Sequence, residues 1–183
     1  MIQIPYLPAI LFVTFGWILV RGVVCAGQKR IDWKRELELL PVYICIVVVV
    51  RFTFFPFDKI DGKIQPLNFD AAQLKSPHIN MIPVVNMLNY ETTGEMLINV
   101  IGNTAMFIPL GVIWPVAFKK LDTHAKVVAA GVGFSLCIEI LQLRFFERVT
   151  DINDLILNSV GFAVGYGLYL LVKTMKNHRS SHV

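Results

Sequence analysis

The chain has 183 residues, a length that suits one ordinary soluble domain, but its composition excludes that class. Hydrophobic residues make up 55% of it and charged residues only 16%, which leaves too little polar surface to cover a water-soluble core. The net charge of +4 comes from cations clustered between apolar runs, not from a stripe interleaved with aromatic residues. We therefore predict a membrane protein that does not bind nucleic acid.

Five apolar segments have the length that a membrane-spanning helix needs. The third is the least regular, because Asn99, Asn103 and Pro109 interrupt it. These segments predict an all-α integral membrane protein with about five transmembrane helices, at residues 5–24, 37–55, 96–118, 127–143 and 155–172.

The Lys and Arg residues predict the orientation of these helices. Ten of them fall in the loops 27–36 and 119–126 and in the tail, against five on the alternate side. By the positive-inside rule the richer side is cytoplasmic, so the N-terminus lies outside and the C-terminus inside.

The spans and their orientation also predict an internal division of the chain. Residues 1–36 form the first transmembrane helix and a basic cytoplasmic loop, residues 37–172 form a helical membrane domain, and residues 173–183 form a basic cytoplasmic tail. The domain includes an outer segment, 56–94, which combines turns such as Asp61-Gly62 with the apolar run 79–88. That run is too short to span, so it predicts an interfacial or re-entrant element.

Polar residues inside the predicted spans, and just before the fifth, recur at spacings of three or four, which places them on shared helix faces. Groups that lipid penalises in this way usually face a partner, a cavity or a site. In the predicted topology they all lie in the outer half of the membrane. They predict one outer polar pocket that includes Arg51, Asn99, Asn103, Glu139, Gln142, Arg148, Asp151, Asp154 and Asn158.

Such a pocket has definite chemistry before its ligand is known. Glu139 pairs with Arg51 or Arg148, or it takes up a proton. The amides suit carbohydrate, amide or phosphate head groups, and each arginine can fork onto a phosphate or carboxylate.

Purely structural roles explain several of the same residues. Asn99 and Asn158 suit interhelical hydrogen bonds, and Arg51 suits an interfacial anchor. Asp151 suits the N-cap of the fifth helix, with Asp154 favoured by the helix dipole.

Other motifs are few. Gly161 and Gly165 form a GxxxG pattern, which favours close helix packing within the bundle. No HExxH, GxSxG, P-loop or Rossmann pattern is present, and the three cysteines have no metal-ligand spacing. We therefore predict no metal and no cofactor.

Several short motifs occur in a specific order. They are Asn80-Met-Ile-Pro83, Asn99-Val-Ile-Gly102-Asn103, Glu139-x-x-Gln142 and Arg148-x-x-Asp151-x-x-Asp154 with Asn158. Over residues 51–172 this order resembles the VanZ-like family of small bacterial membrane proteins. The resemblance adds Asn80 to the outer pocket and implies a helical domain in the bacterial cell membrane. Val84 and Asn153 depart from the family pattern.

The family's founding member confers teicoplanin resistance in Gram-positive bacteria, largely without affecting vancomycin, so the resemblance implies a role of that kind. The favoured hypothesis is non-enzymatic: the pocket binds a lipid-linked cell-wall precursor or the lipoglycopeptide itself. An enzyme that modifies a membrane lipid or cell-wall precursor, with Glu139 or Asp151 as general acid or base, is an alternative. A small transporter or flippase is another, and it would need to oligomerise. Membrane lipids are expected partners in every case.

Overall fold

The computed structural model describes residues 2–56, 59–70, 79–83, 92–146 and 148–180. It is mostly helical. Each of its five helices is long and apolar enough to cross a membrane, which confirms the five predicted spans. They are α1 (Tyr6–Gln28), α2 (Trp33–Phe54), α3 (Thr93–Ala117), α4 (His124–Gln142) and α5 (Ile152–Ser180). The inside-outside orientation and the division at residues 36 and 172 stay predictions, and residues 84–88, half of the expected interfacial run 79–88, lie outside the described residues.

Short strands in the connecting segments make the fold less purely helical than expected. Within the described residues β1 (Ile2–Ile4) pairs antiparallel with β4 (Leu67–Phe69), and β5 (Ile79–Asn80) pairs parallel with β6 (Thr150–Asp151). A hairpin joins β2 (Lys59–Ile60) to β3 (Lys63–Ile64).

The turn of that hairpin is the predicted one. Asp61 and Gly62 both have positive φ, 50° and 72°, as a two-residue hairpin turn requires.

Side-chain caps explain where three of the helices begin. Asp32 accepts a hydrogen bond from the Arg35 amide at 3.2 Å before α2, and Thr92 accepts one from Glu95 at 3.2 Å before α3. Thr123 does the same for the Lys126 amide at the start of α4. Each cap satisfies a backbone donor that the first helical turn leaves unpaired.

The chain forms two compact units. The first unit is Met1–His78 with Gln142–Val149, and the second unit is Ile79–Leu141 with Thr150–Val183. In the first unit, α1 and α2 are joined by a hydrogen bond of 2.7 Å between the hydroxyls of Thr14 and Tyr43, and by an ion pair between Arg21 and Glu36.

Glycines let α3 and α5 approach backbone to backbone in the second unit. A Cβ added at Gly161 would overlap the Thr104 carbonyl oxygen, and one added at Gly165 would overlap that of Ile108. Gly111 of α3 faces α5 in the same way. The GxxxG pattern therefore packs within the bundle, as predicted.

We expect Gly165→Ala to lower the free energy of unfolding by about 1–3 kcal/mol, because the new methyl group forces α3 and α5 apart. Gly167→Ala is the matched control on the same helix, since a Cβ there meets no described heavy atom within 4 Å. Unfolding in mixed detergent micelles measures both. Equal losses in the two variants would contradict glycine-mediated packing.

Candidate functional site

The second unit brings five of the predicted pocket residues into one polar cluster, which we name the acid–amide cluster. Its residues come from five separate elements of the chain: β5, α3, α4, β6 and α5. Hydrogen bonds between these elements define it. Its members are Asn80, Asn103, Glu139, Asp151 and Asp154.

Glu139 ties α4 to the start of α5. Its side-chain Oε2 accepts the backbone N–H of Asp151 at 3.0 Å, and its own carbonyl accepts the Thr150 hydroxyl at 2.9 Å. Only 3% of Glu139 is exposed. The residue therefore positions its neighbours and presents little surface to a ligand. Thr150 was not among the predicted residues, since a single threonine outside the helical spans carries no periodic signal.

Asp151 connects two segments that are distant in sequence. One carboxylate oxygen accepts a hydrogen bond of 2.8 Å from the backbone N–H of Asn153, so the predicted N-cap of α5 is confirmed. The other accepts the Asn80 side-chain amide at 2.8 Å, beside the β5–β6 pairing. Asn80 in turn accepts the backbone N–H of Ile82 at 3.3 Å.

Amide side chains also join the helices in pairs. Asn103 of α3 donates to Asp154 of α5 at 2.7 Å. One turn further along α5, Asn158 donates to Ser135 of α4 at 3.0 Å, and both of these side chains are fully buried. The interhelical role considered for Asn158 is therefore confirmed. Asn99 is half-buried and makes no side-chain hydrogen bond within the described part of the chain.

The cluster is dominated by hydrogen-bond acceptors. It holds three carboxylates, and Asn80, Asn103, Asp151 and Asp154 are all partly exposed. Such a set suits ligands that donate hydrogen bonds, such as hydroxyl, amide N–H or ammonium groups. It repels anions. Among the described residues, no group of three His, Cys, Asp or Glu is arranged to hold a metal ion.

The remaining predicted polar residues lie in the first unit, at the carboxyl end of α2. Gln142 donates to the Thr53 carbonyl at 2.7 Å, and Arg148 Nε donates to that of Phe54 at 2.8 Å. Arg51 donates to the next two carbonyls, of residues 55 and 56, at 3.3 and 3.1 Å. The last carbonyls of a helix lack partners within it and carry the negative end of its dipole. These side chains therefore satisfy the end of α2.

Arg51 also contacts aromatic rings. Its guanidinium lies 5.8 Å from the ring centre of Tyr6 and 5.3 Å from that of Phe52. These contacts and the carbonyl hydrogen bonds give Arg51 a structural role beyond the interfacial anchoring considered from the sequence. Seven of the ten predicted residues belong to the second unit and three to the first, and a single pocket lined by all ten stays a prediction.

Arg148→Gln is expected to lower the free energy of unfolding by about 1.5–3 kcal/mol, because the buried Phe54 carbonyl loses a charged donor. Arg144→Gln removes the same charge from an exposed position in the same segment, so its effect should stay within about 0.5 kcal/mol. Unfolding in mixed micelles compares the two. Similar losses would show that charge alone, and not the carbonyl contact, matters.

Comparison with known proteins gives consistent matches. The sequence model of the VanZ/LLP1 family matches residues 42–173. Protein VanZ from Enterococcus faecium is 35% identical over 95 residues, which cover 52% of this chain and 58% of that protein. The uncharacterized membrane protein YwnJ from Bacillus subtilis (strain 168) is 34% identical over 86 residues, or 46% of this chain and 58% of that protein. The matches thus span less than two thirds of either relative. No solved structure matches the chain significantly.

With its five apolar helices, the chain is a multi-pass membrane protein.

Proposed function

The chain belongs to the VanZ/LLP1 family, and on that premise we propose that it is a membrane binding protein whose acid–amide cluster holds the polar head group of a ligand. We further propose that binding lowers susceptibility to teicoplanin-type antibiotics, as the family resemblance implies. The ligand is a lipid-linked cell-wall precursor or the lipoglycopeptide itself.

One observation supports this function above the others. Hydrogen bonds join Asn80 to Asp151 and Asn103 to Asp154, and all four side chains stay partly exposed. A site that is fixed before its ligand arrives spends less free energy on ordering when it binds. These two hydrogen-bonded pairs therefore suit recognition of a ligand as well as helix packing.

The charge of the cluster narrows the class of ligand. Carboxylates and amide oxygens accept hydrogen bonds from sugar hydroxyls and peptide N–H groups, and amide N–H groups donate to sugar hydroxyls. A bare phosphate is disfavoured beside the partly exposed carboxylates of Asp151 and Asp154. Cell-wall precursors and lipoglycopeptides both carry sugars and amides on a lipid anchor or acyl chain, so their polar parts match the cluster.

The environment of Glu139 favours binding over catalysis. A general acid or base must reach the substrate within hydrogen-bond distance. Glu139 is 3% exposed and accepts a backbone N–H, so it has little access to a substrate. Its role in this proposal is to position Asp151.

Drug susceptibility in a sensitive Gram-positive host tests the proposal. Expression of the wild type should raise the inhibitory concentration of teicoplanin and leave that of vancomycin nearly unchanged. Asp154→Ala should abolish the rise, because it removes a ligand-facing carboxylate and the Asn103 contact.

Ser159→Ala is the matched control at equal membrane levels, because within the described residues the Ser159 hydroxyl bonds only to the Leu155 carbonyl of its own helix. It should keep the full rise. Resistance that survives Asp154→Ala would contradict the proposed site. An unchanged inhibitory concentration of teicoplanin with correctly inserted wild type would contradict the resistance role. Altered lipid composition in cells that express the protein would favour the enzyme alternative.

A further inference from the structure

Two cavities adjoin at the end of the second unit where α3 finishes and α4 begins. The first has a volume of about 390 Å³, and its polar lining includes Lys119, His124 and Tyr166. The second has a volume of about 350 Å³, and half of its lining residues are aliphatic: Val112, Val116, Leu168 and Val172. Tyr169 and Lys173 line both. Together they form an amphipathic groove, which we name the basic groove.

The basic groove lies far from the acid–amide cluster. Asp154 and Lys173 are nineteen residues apart on the same helix, which is about 28 Å at 1.5 Å per residue. That distance is close to the thickness of the hydrocarbon core, roughly 30 Å. The groove therefore lies in the opposite leaflet from the cluster, the one that the Lys and Arg distribution predicts to be cytoplasmic.

The polar half of the groove carries positive charge. Lys119 and Lys173 line it from the α3–α4 loop and from α5. The Lys173 ammonium lies 5.9 Å from the centre of the Tyr169 ring, so it sits beside a ring that lines both cavities.

Neighbouring groups do not neutralise the positive charge of Lys119 and Lys173. The Asp122 carboxylate also lines the cavity, but it accepts a hydrogen bond of 2.7 Å from Lys126, and this bond lowers the pKa of Asp122. The Tyr166 hydroxyl and His124 Nδ1 share a hydrogen bond of 2.8 Å, which orients both rings at the cavity wall. Among the described residues, neither Lys119 nor Lys173 forms an ion pair with a carboxylate.

We propose that the basic groove binds an anionic phospholipid. Its phosphate lies between Lys119 and Lys173, and one acyl chain lies along the aliphatic half beside α5. The His124 Nδ1–H donates to the Tyr166 oxygen in this arrangement, which leaves the Tyr166 proton as a further donor to the phosphate. Charge complementarity supports this occupant, since basic pockets between transmembrane helices bind acidic lipid head groups. The adjoining aliphatic cavity distinguishes a lipid from a free anion. The site is separate from the proposed head-group site and of opposite charge.

Lipid binding to the full-length protein in detergent tests the groove, with phosphatidylglycerol as the probe and phosphatidylcholine and inorganic phosphate as comparison arms. The wild type should bind phosphatidylglycerol preferentially and gain thermal stability from it. Lys119→Gln combined with Lys173→Gln should weaken that binding by roughly tenfold or more.

The control is Lys120→Gln combined with Arg179→Gln, which removes the same charge from the same loop and helix but outside both cavities. It should bind like the wild type. If both double variants bind phosphatidylglycerol equally weakly, surface charge alone explains the binding, and the proposed site is overturned. Equal binding of phosphatidylcholine would overturn the anionic preference, and equal stabilisation by inorganic phosphate would overturn the lipid as occupant.

Discussion

The second unit depends on one hydrogen bond, from the Asp151 backbone N–H to the Glu139 carboxylate. A carboxylate that is 3% exposed inside an apolar helix needs a donor, and a backbone N–H at the start of a helix needs an acceptor. Each satisfies the other. The bond fixes where α5 begins relative to α4, and the Thr150 hydroxyl adds a second link on the carbonyl of Glu139. It also sets the position of Asp151, which caps α5 and binds Asn80.

Close packing of α3 and α5 complements that bond. Because Gly161 and Gly165 carry no side chain, the carbonyls of α3 approach the backbone of α5 directly. This approach brings the short side chains of Asn103 and Asp154 within 2.7 Å of each other. Backbone packing in the apolar part of the bundle and polar contacts near the start of α5 thus belong to the same helix pair. The acid–amide cluster is a consequence of both.

Periodic features of this fold could be predicted from the sequence, and non-periodic ones could not. The five spans, the GxxxG contact and the Asp151 cap follow from apolar length and residue spacing, which act locally. The partners of Gln142 and Arg148 are backbone carbonyls near residue 54, and neither spacing nor residue type identifies a carbonyl acceptor about ninety positions away. The short β1–β4 and β5–β6 pairings also join distant segments of two or three residues, too short to carry an alternating pattern.

The most direct test of the claim that interhelical polar contacts hold the cluster together is a double-mutant cycle on Asn103→Ala and Asp154→Ala. The free energy of unfolding is measured for the wild type, both single variants and the double variant in mixed micelles. A direct hydrogen bond between the two side chains predicts a coupling energy of about 0.6–2 kcal/mol. Effects that add within roughly 0.3 kcal/mol would contradict the contact and, with it, the preformed cluster.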